Sequence, residues 1–239
     1  MDYNILILYI SMNKTTILTT AYVSLCVQLV FGITTLFAIF IPLQSEDYIL
    51  TEIMILDTIV QFIELAFYVW LISQFFKLSR DVTYTRYFDW FISTPIMLLT
   101  TIYLFEYIRS KDENKVTTIT EITNTHWYTI FKILTANLVM LLSGFLAEIG
   151  RISRPFAFVT GTIGLLVAFS YIFVYFVTSN LVIQSLFWFM AFVWFLYGIA
   201  FLLPYVVKNM SYNFLDIFSK NFYGLFVAVI IFYTSRSYR

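Results

Sequence analysis

PFAFVTGTIGLLVAFSYIFVYFVTSNLVIQSLFWFMAFVWFLYGIAFLLPYVV, residues 155–207, contains no Asp, Glu, Lys, Arg or His. A polar SN at 179–180 divides it into two apolar runs, 155–178 and 181–207. Each is long enough to cross a hydrocarbon layer of about 30 Å as a helix of about 20 residues. Five further runs of the same character lie N- and C-terminal to this pair, at 16–41, 48–76, 83–108, 127–149 and 210–234. The breaks between them are brief: QSEDY after the first, KLSRD after the second, RISRP before the fifth and KNM before the seventh. The longest, Arg109 to His126, is a polar connector rich in Thr and charge. The runs are apolar all round, whereas barrel strands alternate polar and apolar over about ten residues, so a β-barrel is excluded. The expectation is an all-α membrane protein: one seven-transmembrane-helix bundle spanning 1–239, preceded by a short segment at 1–15.

Composition agrees. Of 239 residues, 61% are hydrophobic and 12% charged, against about a quarter charged in soluble domains, so the surface is coated by a lipid bilayer. Fourteen basic residues balance 14 acidic ones, which leaves nothing to neutralise a phosphate backbone and rules out nucleic acid as a partner. The single cysteine, Cys26, excludes an internal disulfide and reads as a small buried hydrophobe in the first span. The single histidine, His126, reads as an interface residue beside Trp127 and makes no metal site. MDYNILILYISMN at 1–13 has neither a basic leader nor a small-residue cleavage site, so a cleaved signal peptide is not expected. Lys and Arg outside the span interiors divide six to six between the two sides, so charge does not set orientation.

The informative residues are the ionisable ones inside the spans, each costing about 3 kcal/mol at mid-bilayer unless paired or hydrated. Six stand out: Asp57, Glu64, Arg86, Asp89, Asp216 and Lys220. Arg86, Asp89, Ser93, Met97 and Thr100 recur at three- or four-residue spacing, which makes one stripe along the third helix. Asp57, Gln61 and Glu64 make a second stripe, and Ser24 with Gln28 a shorter one on the first helix. Asp216 and Lys220 are four apart, one turn on the same face. Pairing Arg86 and Lys220 with Asp89 and Asp216 leaves Asp57 and Glu64 without a cation. These two are then protonated, or line a hydrated path.

RYFDWFISTPIMLLT at 86–100, followed by LDIFSK at 215–220, resembles the microbial (type 1) rhodopsins over the whole chain. AYVSLCVQLVFG and TIVQFIELAFYVW resemble most closely the rhodopsins of large DNA viruses infecting protists. The resemblance implies a non-enzymatic photoreceptor with all-trans retinal attached to Lys220 as a Schiff base. Asp89 would then be the primary counter-ion and proton acceptor, Asp216 the second counter-ion, and Arg86 the organiser of the water network. Tyr87, Trp90, Ser93, Thr94, Met97, Trp194, Tyr197 and Phe201 would line the retinal pocket, and Asn137 would hydrogen-bond Thr94. Gly198 stands where a proline is usual and Phe201 where tryptophan is common. The resemblance also implies an extracellular N-terminus, a cytoplasmic C-terminus and a homo-oligomer.

Outward proton pumps of that family carry a carboxylate donor where this chain has Thr100, and a threonine cannot store a proton at neutral pH. Reprotonation would then fall to water or to Glu106. Glu64 and Asn221 match the central-gate glutamate and asparagine of channelrhodopsins. Ser24, Gln28, Asp57, Gln61, Glu64, Thr100 and Asn221 therefore form the expected ion pathway. The sequence points to a light-gated cation channel, with a light-driven outward proton pump second and a sensory rhodopsin third.

Overall fold

A computed structural model describes residues 3–75 and 82–237, with side chains from Thr15 onward. Its helices are α1 (Tyr3–Ala38), α2 (Tyr48–Gln74), α3 (Arg86–Asp112), α4 (Ile119–Glu148), α5 (Arg154–Phe176), α6 (Leu181–Leu202), α7 (Tyr205–Asp216) and α8 (Phe222–Arg236). A π-helical turn, Ile217–Asn221, joins α7 to α8, so these two make one crossing. Among the described residues, seven segments are long and apolar enough to span a membrane. The KLSRD connector at 77–81 lies outside the described residues.

The ends of the helices depart from the expected boundaries for local reasons. The fourth begins at Ile119, well before 127, because Thr118 caps it by accepting the Glu121 amide at 3.2 Å. Most of the polar connector between Arg109 and His126 is thus helical, extending α3 to Asp112 and α4 back to Ile119. The turn between them bends at Asn114, which takes φ 55°. Pro204 ends α6 at Leu202 and caps α7, so the sixth and seventh spans divide there and not at KNM. A proline has no amide hydrogen and holds the preceding residue extended. Lys208, expected in a connector, is consequently buried one turn inside α7. α1 likewise starts at Tyr3, so most of the segment expected to precede the first span is continuous with it.

Of the seven crossings, α3 is the most buried. It carries the Arg86–Thr100 stripe at the centre of the bundle, and all five stripe residues are buried. The outward surfaces carry exposed Phe, Leu, Val and Trp, as lipid-facing helix surfaces do. Cys26 is among these exposed positions. Its buried reading is corrected: α1 turns Ser24 and Gln28 inward, and Cys26 between them points away.

Candidate functional site

Three crossings bring four charged groups together. Lys220 Nζ, carried by the π turn, donates to Asp89 Oδ2 of α3 at 2.5 Å and stands 3.7 Å from Glu64 Oε1 of α2. Asp216 makes its bonds to other groups. Its Oδ2 accepts from Tyr68 at 2.8 Å and from Arg86 at 3.4 Å, and its Oδ1 accepts from the Tyr197 hydroxyl at 2.6 Å. The four-residue spacing of Asp216 and Lys220 therefore does not put the two side chains together. The π turn that carries Lys220 holds more residues per turn than an α-helix, so the α-helical four-residue register does not run unbroken from Asp216 to Lys220. The pairing of the cations is as expected from their count, but Glu64 is not without one. Asp57 alone has neither a cation nor a hydrogen-bond partner among the described residues.

Arg86 is wholly buried between the rings of Phe67, Tyr68 and Tyr212. Its Nε donates to Asn209 Oδ1 at 3.3 Å, one terminal nitrogen to the Asn209 carbonyl at 3.4 Å, and the same nitrogen to Asn213 Oδ1. Asn213 then donates to Thr20 Oγ1 at 2.8 Å and to the Ile17 carbonyl at 3.3 Å, while Ser24 donates to the Asn213 carbonyl at 2.6 Å. Neither asparagine was picked out from sequence. A signal existed: Asn209, Asn213, Asp216 and Lys220 continue a four-three-four spacing on one helix.

Toward the opposite end of the bundle, Gln61 donates to the Lys220 carbonyl at 3.0 Å. The Asp57 carboxylate abuts α8 so closely that a Cβ on Gly224 would lie 2.3 Å from its Oδ2. Gln28 and Asn221 are buried with both side-chain polar atoms unpartnered among the described residues, as is the Tyr223 hydroxyl. Thr100 donates to the Met97 carbonyl of its own helix at 3.0 Å. Glu106 is bonded by Arg109 and stands 3.9 Å from His126 Nε2. His126 packs its ring edge-on against Phe176 and stays partly exposed.

A cavity lined by Lys220 lies between α3, α4, α5 and α6. Tyr87, Trp90, Thr94, Met97, Trp194, Tyr197 and Phe201 line it as expected. Ser93 does not; it sits beside Asp89. Thr94 and Asn137 are bonded, with the Asn137 amide donating at 2.9 Å. Gly144, Gly161 and Gly198 complete the wall. At Gly144 the space is filled by Tyr87, whose hydroxyl would lie 2.2 Å from an added Cβ. No cluster of His, Cys, Asp and Glu able to hold a metal occurs among the described residues.

Residues 18–233 match the family model described as bacteriorhodopsin-like protein. Among solved structures, the viral rhodopsin OLPVRII is 26% identical, covering 90% of this chain and 96% of that one, with a TM-score of 0.79. Two more distant structures are similar in fold. Xanthorhodopsin, a light-driven ion pump with dual chromophore, is 14% identical over 94% of this chain and 96% of its own, with a TM-score of 0.74. The proton-pumping rhodopsin AR2 of the marine alga Acetabularia acetabulum is 17% identical over 92% and 95%, with a TM-score of 0.70. Among curated proteins, none matches the chain.

Proposed function

The chain belongs to the bacteriorhodopsin-like family, and on that premise we propose that it is a retinal photoreceptor of the lipid bilayer that acts as a light-gated cation channel. The cavity fits the chromophore. It offers one amine, Lys220, in a space walled by Trp90, Trp194 and Phe201, with Gly144, Gly161 and Gly198 leaving room in the wall. Retinal attached at Lys220 supplies visible-light absorption and a change of shape on excitation. Lys220 holds the positive charge, Asp89 accepts its proton, and Asp216 with Arg86, Tyr68 and Tyr197 fixes the second negative charge one turn away.

The observation that carries the channel reading is the approach of Glu64 from α2 to within 3.7 Å of Lys220. It places a third carboxyl against the group that light displaces, on the helix that also bears Gln61 and Asp57. Movement of Lys220 therefore alters the charge balance directly on the path lined by Gln28, Gln61, Asn221 and Asp57, all buried. Thr100 lacks the carboxyl that would store a proton, and Glu106 is engaged by Arg109. The proton-pump reading has its own support in the 2.5 Å Lys220–Asp89 contact, a direct donor–acceptor pair.

Voltage clamp under illumination, with cation gradients varied, separates the two. A channel current reverses sign near the cation equilibrium potential; outward current at every voltage would falsify the channel reading. The purified protein with all-trans retinal should absorb in the visible, and Lys220→Ala should be colourless.

A further inference from the structure

The buried polar groups between α1, α2, α3 and α7–α8 fall into two halves on either side of Lys220, and the halves differ in how they are satisfied. On the Arg86 side, each of Tyr68, Arg86, Asn209, Asn213, Asp216 and Ser24 has protein partners. The network crosses the whole path: Asn213 ties α7 to α1 through Thr20 and Ile17, Tyr68 brings in α2, Arg86 brings in α3, and Asn209 donates to Thr83 at 2.9 Å. On the other side, Gln28, Asp57, Asn221 and Tyr223 have side-chain atoms with no partner among the described residues. Gln61 and Thr100 lie near Asp57 and Tyr223 without closing full hydrogen bonds to them.

A buried polar atom left without any partner costs about 1–3 kcal/mol, so a set of them side by side is solvated by water. A network already closed on itself offers water nothing and must be broken before anything passes. We propose that Asn209 and Asn213, by holding Arg86 against α7, form the gate of this protein, and that the half containing Asp57 is already hydrated in the dark. The two asparagines are positioning residues that act through Arg86. The proposal rests on the reading of a light-gated ion path, and it deepens that reading by fixing where the path is shut.

The test is access in the dark. In retinal-loaded protein in nanodiscs, hydroxylamine bleaches the chromophore's link to Lys220 only by a route open to bulk solution; the water beside Asp57 is enclosed by the buried Gln28, Asn221 and Tyr223, so the Arg86 side is the route that the alanine variants open. Asn213→Ala and Asn209→Ala should each speed dark bleaching by about tenfold, the factor that goes with losing one hydrogen bond to a charged group. Asn213→Asp, which keeps an acceptor for Arg86 but gives up the amide donors to Thr20 and Ile17, should bleach at the wild-type rate. Phe214→Ala, on the exposed face of the same helix, should also do so. Where an alanine variant forms no pigment, amide hydrogen exchange across 205–216 in the retinal-free chain gives the reading, with faster exchange expected. Unchanged bleaching and exchange in both alanine variants, or equal acceleration by Phe214→Ala, overturns the gate. A wild-type protein without photocurrent defeats the channel reading and leaves this comparison standing.

Discussion

At the residue scale, the function turns on which carboxyl meets which cation. Asp89 takes Lys220 and Asp216 takes Arg86. Removing the Asp89 charge leaves the chromophore's cation less localised, so Asp89→Asn should shift the visible band to longer wavelength; an unshifted spectrum would take the counter-ion role from Asp89. Glu64→Gln removes the third charge without changing shape, and it should change conductance or ion selectivity while leaving a coloured protein. Asp57 has a different vulnerability. Its carboxylate fills the space that a side chain on Gly224 would need, and overpacking of this kind costs about 1–3 kcal/mol. Gly224→Ala should therefore push Asp57 aside and lower photocurrent more than it lowers the yield of pigment.

At the scale of elements, the helices are cut by proline and caps and rotated by one irregular turn. The break at Pro204 puts Lys208 inside the bundle, where it donates to both oxygens of Glu148 at 2.8 Å. Arg154 approaches the same carboxylate at 3.6 Å, so the end of α4 is tied to the starts of α5 and α7. Removing one partner of a buried pair leaves a charge in a poor environment, at a cost of about 3–5 kcal/mol. Glu148→Ala should accordingly lower the temperature at which the visible band is lost, whereas Thr118→Ala, which removes one exposed helix cap, should cost only about 1 kcal/mol. The π turn is the element least visible beforehand. Nothing in LDIFSKN marks it, and the Lys220 carbonyl within it accepts from Gln61 of another crossing.

At the scale of the molecule, an acid-rich interior is organised about one lysine. Burial in lipid-facing helices makes each unpaired charge costly, so the arrangement of partners decides where water enters. Replacing Asp57 by Asn should reduce cation photocurrent without abolishing colour, measured as current per unit of pigment; an undiminished current would remove Asp57 from the path. Seven spans, the central α3 stripe and the six ionisable positions were legible from spacing and hydropathy, because both depend only on helical period and the cost of polar groups in lipid. Seven of the eight residues that the motif resemblance names for the pocket line the cavity, and Ser93 lies beside Asp89 and off that lining. What sequence left open was every contact between helices distant in the chain. Glu64 was read as lacking a cation, and the Arg86 lock on Asn209 and Asn213 went unread. Each joins residues of different crossings, Arg86 and Asn213 being 127 positions apart. Hydropathy fixes that a helix crosses and which face turns inward. The partner each inward group meets follows from helix rotation and depth, which only the packed bundle sets.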